Sequence, residues 1–111
     1  VDGGDVRGWG AVVEEYVMRS TMYQYIKVDW IHSNPEDPVV LYSELDQEQW
    51  ERRKVEVYAS GVMDYADSHS ATGTTRLSIE PIPPLEELSQ EFKAQYIDAT
   101  EFEQVWSMAT N

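Results

Sequence analysis

The sequence contains no cysteine, and basic residues are scarce: eight Lys and Arg stand against 21 Asp and Glu in 111 residues. The absence of cysteine excludes disulfides and thiolate metal sites, and it suits a reducing compartment. The formal charge of −13 exceeds what a small domain needs for solubility, and it opposes binding to nucleic acid or to an anionic membrane. We therefore expect a basic protein as partner, and neither nucleic acid nor a membrane.

Long apolar stretches and targeting signals are missing too. No run approaches the roughly 20 apolar residues that cross a bilayer. The first residues include Asp2 and Asp5 where a signal peptide would carry basic residues. We therefore expect a cytoplasmic protein.

The sequence also lacks the common cofactor and metal motifs. None of its six glycines precedes Lys-Ser or Lys-Thr as in a phosphate-binding loop, and there is no HExxH, EF-hand loop or nucleophile elbow. The carboxylates show no metal-ligand spacing. We expect no cofactor, no metal site and no catalytic residue.

The chain divides into two parts. Residues 1–21 read as a peripheral extension, with four of the six glycines in 1–10 and a short helix predicted over 9–18. Residues 22–111 are expected to form a single α+β domain, because a chain of this length usually folds as one unit.

Alternating apolar residues predict four strands arranged as two hairpins. The predicted strands span 24–32, 39–45, 53–58 and 62–67. In the first of them, Ile26, Val28 and Trp30 share one face. A short fifth strand is expected over 76–79, ended by the prolines that follow it.

Helical spacing follows the strands. Pro84 is well placed to begin a helix, and an extended piece over 94–97 precedes a last helix with Thr100 as N-cap and Glu103 completing a capping box. The apolar face of the first predicted helix holds Leu85, Leu88 and Phe92. Strands followed by helices predict an α+β fold, with an antiparallel sheet of four to five strands covered on one face by C-terminal helices.

Two histidines are the candidates for enzymatic chemistry. His32 ends the first strand, where a structural histidine at the sheet margin is the simpler interpretation, and His69 lies in a polar loop whose adjacent residues do not preorganise a triad. A ribonuclease-like set of His32, Glu56 and Arg76 is opposed by the negative charge, which repels a polyanion. A small hydrolase or ribonuclease-like enzyme using His32 or His69 stays an alternative.

Charge is distributed unevenly along the chain. The one basic cluster, 52–54, is flanked by Glu51 and Glu56, and these charges are expected to pair across strands. Two stretches, 36–51 and 86–103, each hold six acids and almost no base. They are either solvated faces or surfaces that attract a basic partner. The residues predicted to contact that partner are Glu44, Asp46, Glu48, Trp50 and Glu51.

Several segments resemble a known family when taken together. They are 25–30 (YIKVDW), 38–46 (PVVLYSELD), 50–58 (WERRKVEVY), 81–83 (PIP) and 101–103 (EFE) with Trp106. In this order they resemble the small bacterial DUF6881 family, a domain of unknown function, from about Tyr23 to Met108. The resemblance implies a compact α+β domain and transfers no catalytic residue.

Small acidic bacterial proteins of this sort often look like immunity proteins of polymorphic toxin systems, which cap a toxin's catalytic cleft. The expected function is therefore that of a non-enzymatic toxin inhibitor that blocks a basic, nuclease-like toxin. An accessory or regulatory domain that homo-oligomerises through its sheet edge is a further alternative, and the oligomeric state stays open.

Overall fold

The computed structural model describes residues 22–111, so the extension over 1–21 and its predicted helix lie outside the described residues. Within 22–111 the chain forms five strands, one short 3-10 turn at Leu85–Glu87 and one α-helix. The strands are β1 (Gln24–Trp30), β2 (Val40–Leu45), β3 (Glu51–Val57), β4 (Met63–Ala66) and β5 (Phe92–Ile97), and the helix α1 spans Ala99–Thr110.

All five strands belong to one antiparallel sheet in the order β4-β3-β2-β1-β5. The predicted α+β class and the antiparallel sheet are confirmed. The first four strands form one continuous meander, because β2 pairs with β3 as well as with β1. The last strand returns to the far side of β1, where Tyr25 lies opposite Ile97 and Trp30 opposite Phe92.

Alternation along β1 places core residues on both faces of the sheet. On one face Tyr25 packs against α1, with its ring centroid 5.2 Å from that of Phe102. On the other face, the buried cluster that contains Ile26 packs with Ile82, which belongs to the irregular connection between β4 and β5. We call residues 75–85 of this connection the strap. The sheet is thus covered by a helix on one face and by the strap on the other.

The helix predicted from Pro84 is wrong. The chain makes a single 3-10 turn there, and Phe92, assigned to the apolar face of that helix, begins β5. A short helix with one narrow apolar stripe is weakly stable by itself. Pairing with β1 gives residues 92–97 a complete ladder of backbone hydrogen bonds on one side.

The strand predicted over 76–79 is wrong as well, because these residues are irregular. The backbone N–H of Ser78 donates to the carboxylate of Glu51 at 2.7 Å. A side-chain acceptor therefore takes the place that a neighbouring strand would fill.

The N-cap of α1 is Asp98 and not Thr100. The Oδ1 atom of Asp98 accepts a hydrogen bond from the N–H of Glu101 at 2.8 Å, so the helix begins two residues earlier than predicted. An acidic N-cap also interacts favourably with the helix dipole. Glu103, predicted to close a capping box, pairs with Arg53 of β3.

Candidate functional site

The five predicted contact residues lie around the turn that joins β2 to β3, and they divide into two groups. Glu44 and Glu51 are buried, with 4% and 6% of their surface exposed. Asp46 is half-buried, Glu48 is exposed, and Trp50 is 40% exposed. The structure therefore brings the last three to the surface and places the first two inside the domain.

Glu44 forms the centre of an ion-pair network between the sheet and α1. It lies opposite Arg53 in the register of β2 and β3, and Arg53 donates to both of its carboxylate oxygens at 2.8 Å. The hydroxyl of Tyr25 donates to the same carboxylate at 2.9 Å. Arg53 also reaches Glu103 of α1 at 2.5 Å. The predicted cross-strand pairing of the basic cluster is confirmed at Arg53.

The guanidinium of Arg53 is also packed against aromatic rings. Its Cζ atom lies 4.9 Å from the ring centroid of Phe102 and 5.0 Å from that of Trp106. Burial opposes the charged form, but the hydrogen bonds and charges of Glu44 and Glu103 outweigh it and raise the pKa of Arg53 above its ordinary value. Arg53 is therefore a permanent cation that joins the helix to the sheet.

Glu51 fixes the strap to the opposite face. Its carboxylate accepts hydrogen bonds from the hydroxyl of Ser43 at 2.6 Å and from the N–H of Ser78 at 2.7 Å. The Nζ atom of Lys54 lies 3.2 Å from the same carboxylate, and it donates to the carbonyl of Arg76 at 3.0 Å. These contacts give Glu51 a structural role within the domain.

The turn between β2 and β3 is held in one shape by Asp46. Its Oδ1 atom accepts hydrogen bonds from the N–H groups of Glu48 at 2.9 Å and Trp50 at 3.0 Å. Gln49 takes a left-handed backbone conformation, with φ of 73°. The turn therefore presents Glu48 and Trp50 from a preorganised backbone, which lowers the entropy lost on binding.

The strap runs alongside this turn. The N–H of Ile82 donates to the carbonyl of Gln49 at 2.8 Å, and Ser78 is bonded to Glu51 as described above. These two hydrogen bonds reach the residues on either side of Trp50. The strap residues between them, 79–81, therefore lie next to Trp50.

A second exposed apolar residue occurs in this stretch of the strap. Ile79 is 86% exposed, and Glu80 beside it is exposed as well. We call the group of Asp46, Glu48, Trp50, Ile79 and Glu80 the candidate surface. Sequence reasoning missed Ile79 and Glu80, although an isolated apolar residue just before a cluster of prolines was a usable signal. The candidate surface combines two exposed apolar residues with three acidic residues.

His32 is engaged in the turn that follows β1. Its Nε2 donates to the carbonyl of Pro38 at 2.8 Å, and its Nδ1 accepts from the N–H of Asn34 at 2.9 Å. This pattern requires a neutral imidazole with its proton on Nε2. The ring packs edge-on against Trp30, with centroids 4.5 Å apart. These contacts agree with a structural histidine at the sheet margin.

Asp67 organises the loop that contains His69. Its Oδ1 atom accepts from the backbone N–H groups of His69 at 2.8 Å and Ser70 at 2.7 Å, and these bonds lower the pKa of Asp67. Asp67 therefore acts on the backbone of this loop, and the His69 that the loop carries is exposed.

The hydrogen bonds of His32, Glu56 and Arg76 do not join these three side chains in one ribonuclease-like site. Glu56 accepts from the hydroxyl of Thr75 at 2.6 Å, under the strap. Arg76 donates to the carbonyl of Thr75 at 2.6 Å and to that of Gly73 at 3.3 Å. Glu56, Arg76 and His32 therefore each form hydrogen bonds with other residues and not with one another.

The acids of the second stretch, 86–103, lie at or near the surface, and two of them also bind groups of the fold. Glu86 and Glu87 are exposed in the 3-10 turn, whereas Asp98 caps α1 and Glu103 binds Arg53. An acid count along the sequence therefore overstates the charge that a partner would meet.

Across residues 22–111, no three His, Asp or Glu side chains gather in a way that would hold a metal ion. In that range no helix has the length and apolar character needed to span a membrane.

A protein-family model described as "Domain of unknown function (DUF6881)" matches residues 24–111. The match covers the whole sheet, the strap and α1. No curated protein and no solved structure matches the chain.

Proposed function

The chain belongs to the DUF6881 family, whose description gives no activity, and we propose from its surface that it is a non-enzymatic binding protein of the immunity type. Its partner in this proposal is a basic, nuclease-like toxin whose cleft it blocks. The observation that carries the proposal is the exposed Trp50 on a turn with acidic residues, with the exposed Ile79 on the strap that runs alongside this turn. Tryptophan is one of the residues enriched in interface hot spots.

In the proposed mechanism, apolar residues supply the binding free energy and acidic residues attract the toxin and replace its substrate. Trp50 and Ile79 enter an apolar pocket of the toxin and supply most of the binding free energy. The carboxylates of Asp46, Glu48 and Glu80 take the positions of nucleic-acid phosphates beside it. The charge of −13 attracts a basic partner over a distance and raises the rate of association.

The proposed contact differs in two residues from the one expected from the sequence. Glu44 and Glu51 are assigned to the internal networks that hold α1 and the strap, and Ile79 and Glu80 take their place at the surface. Such an inhibitor would act in the cytoplasm of the cell that it protects, a compartment that a chain without cysteine suits.

The test begins with capture of proteins from the cells that make this chain, using the tagged wild-type protein at low salt. A captured basic protein is then purified and becomes the probe. We expect its nuclease activity to be inhibited at a 1:1 ratio, and we expect the association rate to fall at least about tenfold from 50 to 500 mM NaCl. The variant Trp50→Ala should raise Kd by about 30-fold or more.

A matched pair of charge variants locates the contact. In the test variant, Asp46→Asn with Glu48→Gln, the asparagine keeps the oxygen that accepts from Glu48 and Trp50, so the turn is preserved. The control, Glu86→Gln with Glu87→Gln, removes the same charge from another exposed site. Equal effects of the two variants would refute the proposed surface, and association indifferent to salt would refute electrostatic attraction.

A further inference from the structure

We propose that two copies of this chain associate by pairing their β5 strands antiparallel, which joins the two sheets into one. The pairing uses a different surface from the candidate surface, because β1 and β2 separate β5 from β3. It does not depend on the proposed function.

The two edges of the sheet differ in their protection. The outer edge of β4 is covered by its own connection: Ala66 bridges to Ala71, and Tyr65 exchanges hydrogen bonds of 2.8 and 2.9 Å with the backbone and hydroxyl of Thr72. No strand of the described chain lies beyond β5. An edge strand of six residues without proline or bulge is a template for pairing with another chain.

The backbone groups that point outward from β5 follow from its register. The N–H of Ile31 donates to the carbonyl of Glu91 at 2.8 Å, so the odd-numbered residues of this segment face β1. The N–H and carbonyl groups of Ala94 and Tyr96 therefore point away from the sheet. The N–H of Phe92 is bound to Ser89 at 3.0 Å, which leaves the carbonyl of Phe92 facing outward.

One register satisfies all of these groups except the carbonyl of Tyr96, whose opposite N–H, that of Phe92, is bound to Ser89. When Ala94 lies on the two-fold axis, it exchanges two hydrogen bonds with Ala94 of the partner subunit. The N–H of Tyr96 then donates to the carbonyl of Phe92 of the partner subunit, and the same bond forms on the other side of the axis. This register also places two aromatic pairs on one face, a favourable cross-strand combination.

Charge favours a second copy as the occupant of this edge. The segment 92–97 contains no acid, and its one charge, Lys93, falls opposite Gln95 of the partner subunit in this register. The segment offers a basic partner no carboxylate of its own, whereas two copies meet here without like charges directly opposite one another. The charge of −13 on each copy still opposes approach at low salt.

The first experiment is sedimentation velocity on the intact protein at 20 and 500 mM NaCl. We expect a dimer whose population rises with salt, the reverse of the salt dependence proposed for a basic partner. Ala94→Pro removes an outward N–H that makes no bond to β1, and it should raise the dimer Kd at least about tenfold. Tyr96→Lys tests the same edge without proline, and Val62→Lys, at another exposed apolar residue, is the control.

Disulfide trapping tests the register, and the absence of native cysteine makes it clean. The double variant Lys93→Cys, Gln95→Cys places each thiol opposite a thiol of the partner subunit, so oxidation should give a covalent dimer. The single variant Gln95→Cys should form no covalent dimer under the same conditions, because its thiol lies opposite Lys93 of the partner subunit. Efficient trapping of the single variant would overturn the register. A monomer at all salt concentrations up to about 200 μM would overturn the proposal, since a dimer that weak has no use at cellular concentrations.

Discussion

Gln49 is the single non-glycine residue of the described chain in the left-handed region. A side chain in that region costs about 1–2 kcal/mol, and glycine avoids the cost. Here the conformation lets the carbonyl of Gln49 accept from Ile82 of the strap while Asp46 binds the N–H of Trp50. The strain therefore sits at the point where the turn and the strap meet.

We expect Gln49→Gly to raise the free energy of unfolding by about 0.5–1 kcal/mol, because glycine relieves this backbone strain. Urea titration followed by tryptophan fluorescence measures the change. Gln49→Ala is the control: it removes the same side-chain hydrogen bond to Gln24 but keeps a Cβ, so it should lower stability. Similar results for both variants would contradict the role assigned to the backbone.

At the level of elements, α1 is attached to the sheet by both apolar and ionic contacts. Phe102 is fully buried against Tyr25, and Arg53 lies over the ring of Phe102 while it binds Glu44 and Glu103. Two charges that are both buried contribute little net stability, because desolvation offsets their attraction. Removal of one partner, however, leaves the other without its counter-charge.

We expect Arg53→Met to lower the free energy of unfolding by about 3–5 kcal/mol, since it leaves Glu44 buried without its counter-charge. The double variant Arg53→Met, Glu44→Gln should lose less than this single variant, because glutamine is neutral and still accepts from Tyr25. Denaturation of the full double-mutant cycle measures the coupling. Glu103→Gln, at a side chain 41% exposed, is the control and should cost less than about 1 kcal/mol. Strictly additive losses would contradict the network.

The elements that could be predicted from sequence are those whose pattern is local. Period-two alternation predicted β1 to β4 to within a few residues. Helical spacing at Leu85 and Phe92 was misleading, because pairing with a strand 62 residues away decides the conformation of Phe92. The strap shows no periodic pattern of apolar residues from which it could be predicted. Hydrogen bonds between its backbone and the side chains of Glu51 and Lys54 hold it in place.

For the whole molecule, the sequence predicts the net charge but not which of the charged side chains are buried. Glu44 and Asp46 lie two residues apart in one acidic stretch, yet one is buried in an ion pair and the other caps an exposed turn. Register decides the difference, because Glu44 falls opposite Arg53. Trp50 was predicted as part of the contact, whereas the exposure of Ile79 depends on the course of the strap.

We expect the thermal midpoint to rise between 10 and 300 mM NaCl, because salt screens repulsion among the excess carboxylates. Circular dichroism measures the midpoint, and KCl at the same ionic strength controls for ion-specific effects. The rise of the thermal midpoint with salt should be smaller in the variant Glu86→Gln, Glu87→Gln, which carries less negative charge. A midpoint that falls with salt would mean that exposed ion pairs outweigh the repulsion.

The strand order also has a consequence for how the domain is made. Residues that pair within the β1–β4 meander are close in sequence, whereas Trp30 pairs with Phe92, which is synthesised much later. During synthesis the meander can form first, and β1 then presents an open edge to the cell until residues 92–97 leave the ribosome. Contacts of this sequence separation are the slow ones in folding. The interval before β5 arrives is therefore the time when a nascent chain is most exposed to wrong pairing, including with the β5 of a copy that is already folded.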